Sequence, residues 1–344
     1  MTVKNKTTVV KYIMEHVKDR LGIEKELGYH GFDETRTSYL FIFTTCKRSA
    51  MGVQKIVAKL YKMKRSVDAP CNPSENEYKF LKQLNYVLSD IPQLVIPRPI
   101  ARLPKINGII MEWVDGISLQ KLMPLGGRFS SEDGKRMLEA YFRNAGKAIG
   151  LIQSRTYGQN VGKAKQYMDA KLRSIKKQVQ YSYLKNYSKY VERALKCIDE
   201  AIPTISWGKV GSAWTHGDFV HSNVLITNEG KIAILDLAES RFDSPYHDIS
   251  RFTVRTIIDY GYVPKYSPRY LQELNHNFLN GYLRSFPHEI SDDLLLLYDV
   301  FNLLQFISFL YEPCLRRFLS LRDWYALFLL RKKMHASSSI GELK

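Results

Sequence analysis

The stretch "HGDFVHSN", residues 216–223, places a histidine, an aspartate two positions on and an asparagine five beyond that among small and apolar residues. Taken alone it is a polar turn between two buried elements. The residues that follow change the reading. V-L-I-T (224–227), the turn Asn228-Glu229-Gly230 and I-A-I-L (232–235) predict a β-hairpin, and Asp236 comes directly after it. Such a hairpin returns Asp236 to the point where Asn223 departs, so Asp218, Asn223 and Asp236 converge at its open end. Two carboxylates and an amide oxygen are hard donors that suit Mg2+ better than a soft metal. Magnesium takes few protein ligands and completes its octahedron with water and substrate phosphates.

A phosphate-bearing substrate needs a basic anchor. Lys59 is the candidate, because it lies in the apolar strand K-I-V-A-K-L-Y-K (55–62), where an unpaired ammonium is costly. Its expected partner is a carboxylate of the helical segment ENEYKFLKQLNYVL (75–88), either Glu77 or Glu75. Ser74 is the candidate cap of that helix, with Glu77 three residues on completing a capping box. Y-L-F-I-F (39–43) and the Lys59 strand predict a second hairpin across C-K-R-S-A-M-G (46–52). Residues 7–21 carry Val9, Val10, Ile13, Val17 and Leu21 at helical spacing, and G-I-I-M-E-W-V (108–114) reads as a buried strand running into Asp115-Gly116.

From about residue 119 the pattern is mostly helical, with an apolar helix around 135–153. Residues 163–196 hold ten Lys or Arg against Asp169 and Glu192, with Tyr167, Tyr181, Tyr183, Tyr187 and Tyr190 interleaved. That mixture fits a surface for sugar phosphates or nucleic acid, and equally a solvated helical face with its tyrosines turned inward. In LLLLYDVFNLLQFISFLY (294–311), Asp299, Asn302 and Gln305 form one polar face, which suits a packed helix better than a membrane span.

The 344 residues suggest two subdomains, and 45% hydrophobic content with 12% aromatics supplies a core and excludes wholesale disorder. The formal charge of +17 concentrates anions without specifying them. Cys46, Cys71, Cys197 and Cys314 are scattered, with no zinc spacing, and read as reduced and mostly buried thiols. The N-terminal stretch has no apolar h-region or cleavage site, so the expected location is cytoplasmic, with peripheral contact to an anionic membrane surface left open.

Taken together, H-G-D-F-V-H-S-N, I-L-D, V-A-K, M-E-W-V-D-G-I-S-L (111–119) and F-L-N-G-Y (278–282) resemble the aminoglycoside phosphotransferase and choline kinase family. The resemblance covers most of the chain. It implies an α+β, protein-kinase-like fold of two lobes: a small β-rich N-lobe (1–112), a linker (113–118) and a larger, mainly helical C-lobe (119–344). It implies ATP or GTP as phosphate donor and Mg2+ as cofactor. Asp218 is then the catalytic base on the acceptor hydroxyl, and Asn223 and Asp236 hold the metal. Lys59 binds the α/β-phosphates with Glu77 fixing it. Residues 111–114, including Glu112 and Val114, line the adenine pocket. Thr35, Thr37 and Ser38, in the G-F-D-E-T-R-T-S-Y turn (31–39), donate to phosphate. Asp248, in S-P-Y-H-D-I-S-R-F, and His216 brace the catalytic loop, while His221 has no assigned role.

Departures narrow the substrate. Gly217 stands where a protein kinase has arginine, Leu-Ala follows Asp236 in place of Phe-Gly, and no Ala-Pro-Glu follows. These disfavour protein phosphorylation and point to a hydroxyl of a small molecule or glycan. The net charge favours an anionic acceptor, such as a cell-envelope glycan precursor, over a polycationic aminoglycoside. The basic segment, with Arg316, Arg317, Arg322 and Arg331-Lys332-Lys333, is the expected attractor. An aminoglycoside or choline-type amino alcohol kinase is the alternative, and a protein-kinase-like or non-catalytic nucleotide-binding protein a further one. Nucleic acid is disfavoured as a partner, with charge its sole support.

Overall fold

The computed structural model describes residues 6–21, 27–35, 37–45, 55–62, 72–158, 163–180, 185–207, 210–308 and 321–338. In chain order the elements are α1 (Lys6–Leu21), β1 (Leu27–Glu34), β2 (Ser38–Thr45), β3 (Lys55–Tyr61), α2 (Pro73–Val87), β4 (Leu94–Val95), β5 (Pro99–Leu103), β6 (Gly108–Glu112) and β7 (Gly116–Ser118). There follow α3 (Leu119–Leu122), α4 (Glu132–Thr156), α5 (Lys163–Gln180), α6 (Lys185–Ala201), β8 (Ala213–Thr215), β9 (Val224–Thr227), β10 (Ile232–Ile234) and β11 (Arg241–Asp243). Four helices complete the chain: α7 (Tyr246–Tyr260), α8 (Pro268–Leu283), α9 (Asp292–Ser308) and α10 (Leu321–Ser338).

Two compact units result, one of residues 1–118 with 223–240 and the other of 119–222 with 241–344. The grouping differs from a division at 113–118 alone, because the hairpin 223–240 packs with the first unit. The cause is strand pairing: β9 pairs β7 and β10 runs parallel to β4.

The first unit is built on a sheet of order β1-β2-β3-β6-β5. The hairpin of β2 and β3 forms as its apolar runs predict, with Leu40 opposite Lys59, and its connecting residues 46–52 lie outside the described residues. β1 was not legible, because L-G-Y-H-G-F-D-E has neither alternation nor a branched run. Val9, Ile13 and Val17 of α1 are at most 1% exposed and pack with Phe41, Phe43, Ile56, Leu60 and Ile110. Each such side chain contributes roughly 1.5–3 kcal/mol by leaving water. Helix α2 is capped by Asn72, whose side chain accepts from the Ser74 N–H at 3.0 Å, and not by Ser74. Pro73 at the first helical position sets that register. Glu77 does not cap either, because its carboxylate is buried against Lys59.

The second unit is mainly helical. Its core joins Met168, Leu172 and Ile175 of α5, Val191, Leu195 and Ile198 of α6, and Tyr298, Phe301 and Leu304 of α9. So the basic segment buries an apolar stripe, and exposed Lys165, Lys171, Arg173, Lys177, Arg193 and Lys196 occupy the remaining faces. Tyr167 lies under Arg241 at 3.5 Å, while Tyr181, Tyr183 and the side chain of Tyr187 are outside the described residues. The polar face of α9 is taken up internally: Asn302 donates to the His247 carbonyl and the Ser250 hydroxyl, and Lys333 donates to Asp299 at 2.6 Å. Among the described residues no helix is long and apolar enough to cross a membrane.

α4 and α8 pack at close range through Gly146 and Gly281. A β-carbon on Gly146 would overlap the Phe278 carbonyl, and one on Gly281 the Arg143 carbonyl. This accounts for the glycine of F-L-N-G-Y. Of the cysteines, Cys197 is a half-buried free thiol, and Cys46, Cys71 and Cys314 are outside the described residues.

Candidate active site

In the first unit the charged residues gather around Lys59. β3 buries its side chain, and the ammonium donates to Glu77 Oε2 at 2.8 Å and to Asp236 Oδ1 at 2.6 Å. Glu77 is wholly buried and its second oxygen accepts from the Leu237 N–H at 3.1 Å. One carboxylate of α2 thus holds both the lysine of β3 and the backbone just past Asp236. Asn76 adds to the grip, donating to the carbonyls of Ala238 at 2.8 Å and Ser240 at 2.9 Å. Burial disfavours the ammonium, but the carboxylates of Asp236 and Glu77 outweigh it and hold the Lys59 pKa above that of an ordinary lysine. Glu75 is not an alternative partner, since it pairs with Arg102 at 3.1 Å.

Asp236 lies two residues past β10 with φ +63°, a left-handed conformation in which aspartate is one of the few tolerated side chains. The hairpin closes as its pattern predicts: the Leu235 N–H donates to the Asn223 carbonyl at 2.9 Å, and Gly230 takes φ +75° in the turn. Asn223 and Asp236 therefore flank one hairpin base. Among the described residues no group of three His, Cys, Asp or Glu side chains forms a metal cluster. An amide oxygen beside a carboxylate that is 41% exposed is nonetheless the donor chemistry of a hard cation that keeps other ligands in water and phosphate. These two residues fit magnesium on that ground.

Other nucleotide-side candidates are placed more loosely. Glu112 ends β6, donating its N–H to the Arg98 carbonyl and pairing its carboxylate with Arg98 at 3.0 Å. Val114 follows, half-buried, beyond Trp113, whose N–H donates to the Lys55 carbonyl at 3.1 Å. In the β1–β2 turn the Ser38 N–H donates to the Thr35 hydroxyl at 2.9 Å, and the two hydroxyls lie 2.9 Å apart. Ser38 is 2% exposed, whereas Thr37 is exposed.

In the second unit the loop 216–218 is held from α7. Asp248 is completely buried. Its Oδ2 accepts from the His216 N–H at 2.7 Å and its Oδ1 from the Gly217 N–H at 3.0 Å. Gln153 of α4 donates to Asp248 at 3.1 Å and accepts from the Tyr282 hydroxyl of α8 at 2.7 Å. A buried relay thus runs from F-L-N-G-Y to the loop. Burial alone would raise the Asp248 carboxyl, but the neighbouring imidazoles and the His216 N–H hold it below the usual carboxylate range. Gly217 has φ +84°, which glycine adopts without strain. Its difference from a protein kinase arginine is therefore conformational as well as chemical. The Asp218 N–H donates to His216 Nδ1 at 3.3 Å. His221 belongs to the core: its Nε2 is 2.9 Å from the Thr256 hydroxyl, it packs on Phe252, and burial lowers its pKa to about 4.

Asp218 meets a residue that the motifs did not single out. Arg251 of α7 donates to Asp218 Oδ1 through Nη2 at 2.6 Å and Nε at 3.2 Å. Burial would raise the Asp218 carboxyl, and the Arg251 guanidinium, with His216 and Arg255, holds it below its ordinary value. The available signal was position, since Arg251 stands three residues after Asp248 on the same helix. Gln153, 95 residues before Asp248, gave no such signal.

No curated protein matches the chain in sequence. Among solved structures it is similar to the amicoumacin kinase hAmiN in complex with AMP-PNP, Ca2+ and Ami (15% identity, 97% of this chain and 96% of that one, TM-score 0.58). It is also similar to a choline kinase from Cryptosporidium parvum Iowa II (16% identity, 97% and 98%, TM-score 0.61) and to the aminoglycoside phosphotransferase APH(4)-Ia (14% identity, 96% and 99%, TM-score 0.61). At such identities the likeness is one of fold, and that fold is the kinase-like combination of a β-rich and a mainly helical part. A family model described as "Phosphotransferase enzyme family" matches residues 53–286, which span the lysine strand, the loop and both residues of the hairpin base, Asn223 and Asp236. On that match, over more than half of its length, the chain belongs to the phosphotransferase enzyme family.

Proposed function

We propose that the protein transfers the γ-phosphate of ATP or GTP to a hydroxyl of a small molecule or glycan, with magnesium as cofactor. The observation that carries this reading is Lys59, buried yet charged, held at once by Glu77 and by the Asp236 expected to bind metal. An ammonium so placed can meet nucleotide phosphates without the entropic cost of ordering a free lysine. Bound magnesium would supply charge neutralisation on the phosphates, with Asn223 and Asp236 as its protein ligands. Glu112 and Val114 present backbone groups to the base. Thr37 is the exposed hydroxyl of the phosphate-side turn, since those of Thr35 and Ser38 lie within bonding distance of each other. Asp218 orients the acceptor hydroxyl and takes its proton as transfer completes.

An anionic acceptor is the favoured class. The formal charge of +17 and the cations Arg251 and Arg255 around Asp218 support it. The exposed lysines and arginines of α5 and α6 would raise the local concentration of such an acceptor, or draw the protein to an anionic leaflet carrying it. Arg322 lies on α10, paired with Asp259, while Arg316 and Arg317 are outside the described residues. A cationic amino alcohol or aminoglycoside is the second reading, supported by likeness of fold to proteins described as choline kinase and aminoglycoside phosphotransferase.

The test is nucleotide consumption with ATP and GTP across sugars, sugar phosphates, glycan precursors, amino alcohols and aminoglycosides, for wild type and Asp218→Asn. The expected result is magnesium-dependent turnover on an anionic acceptor that falls steeply with salt, cut to a small residual rate in Asp218→Asn with nucleotide binding retained. Salt-independent turnover, or preference for the cations, would overturn the anionic class. Nucleotide binding with no transfer to any acceptor would identify a binding protein instead.

A further inference from the structure

Arg251 is a charged residue that the motif-based reading does not use. Its side chain is 11% exposed, and two of its nitrogens converge on one oxygen of Asp218, whose own side chain is 38% exposed. Its third nitrogen approaches Gln305 Oε1 of α9 at 3.5 Å. On the same helix, three residues earlier, Asp248 accepts from the backbone of His216 and Gly217. A single turn of α7 therefore grips the loop twice, once by its main chain and once by the carboxylate of Asp218. Among the described residues, His216 from its own loop and Arg255 from the next turn of α7 also act on this carboxylate.

We propose that Arg251 is a positioning residue for phosphoryl transfer, which fixes the rotamer of Asp218 and so aims its carboxylate at the acceptor hydroxyl. This rests on the reading that Asp218 handles that hydroxyl. A carboxylate on a partly exposed loop turns about two torsions, and a guanidinium fork on a helix removes that freedom in a way a single ammonium does not. Misplacing a reacting group by about 1 Å costs on the order of 100-fold in rate. Arg251 touches neither nucleotide nor metal in this role, so it acts on turnover and not on nucleotide affinity.

The experiment compares wild type, Arg251→Gln, Arg251→Lys, Asp218→Asn and the double variant Arg251→Gln/Asp218→Asn, with Mg-ATP and the acceptor that gives turnover in the screen. Arg251→Gln should lower kcat by about 100-fold with KM for ATP within about twofold. Arg251→Lys should recover part of that loss, because it restores a charged donor. In the double variant the Arg251 change should add nothing to Asp218→Asn. A crystal structure of Arg251→Gln should show Asp218 in a different rotamer, a readout independent of turnover. Wild-type kcat in Arg251→Gln, additive effects in the double variant, or an unmoved Asp218 rotamer would overturn the proposal. Full turnover in Asp218→Asn would instead overturn the role of Asp218, a failure visible separately from that of Arg251.

Discussion

Asp248 Oδ1 accepts from the Gly217 N–H at 3.0 Å, within a residue of Asp218. Its other oxygen takes the His216 N–H and the Gln153 amide, so both oxygens of one buried carboxylate are committed to donors. An amide in its place would put an NH2 group against an N–H. Asp248→Asn should therefore destabilise the second unit by roughly 1.5–3 kcal/mol for each charge-assisted bond lost. Thermal unfolding would show a lower midpoint. An unchanged midpoint would contradict the bracing role.

Gly217 should be intolerant for a separate reason. At φ +84° a side chain costs about 1–2 kcal/mol of backbone strain. Gly217→Arg, which restores the protein kinase residue, should fold less stably and should not acquire peptide phosphorylation. A stable variant active on peptides would refute the assignment.

The Lys59 network makes a prediction about pairs. Lys59→Met leaves Glu77 buried without its cation, which is expected to cost about 3–5 kcal/mol. Lys59→Met/Glu77→Leu replaces both charges and should recover much of that stability while leaving nucleotide binding weak. Chemical denaturation and nucleotide titration of the two variants separate the effects. Equal stability of the single and double variants would show that Glu77 does not depend on Lys59.

His221 predicts an acid-side slope in stability. Its pKa is lowered from 6.5 to about 4 by burial, so between these values the unfolded chain binds a proton that the folded one does not. The contribution is complete above 6.5 and is lost progressively as pH falls from 6.5 to about 4. The loss is about 3 kcal/mol in total, at about 1.4 kcal/mol per pKa unit. Urea unfolding from pH 7 to 4 should show this slope in wild type and a shallower one in His221→Phe. Parallel slopes would rule it out.

Gly281 sits against the Arg143 carbonyl, where a methyl has no room. Gly281→Ala should force α8 away from α4 and cost about 1–3 kcal/mol. Since Tyr282 anchors Gln153 and through it Asp248, turnover should fall together with the unfolding midpoint.

Both hairpins, helices α1, α2 and α4, and the need of Lys59 for a carboxylate of α2 were legible in the chain, because apolar period, turn chemistry and the cost of a buried ammonium are local properties. The choice of Glu77 over Glu75 was not. It depends on which face of α2 meets β3, and the other carboxylate is drawn to Arg102. The cap at Asn72 was missed because Ser74-x-x-Glu77 satisfies a capping pattern whose glutamate is needed elsewhere. Likewise β1, with no alternation, exists because β2 pairs with it through seven residue pairs. The family, the loop and the identity of the charged residues are written in local sequence. Their individual partners are set by the fold: Asp236 for Lys59, Arg251 for Asp218, and the N–H groups of His216 and Gly217 for Asp248, whose bracing of the loop the family resemblance already implied. Buried charges and buried N–H groups must find partners wherever the fold brings them, and sequence separation does not record that proximity.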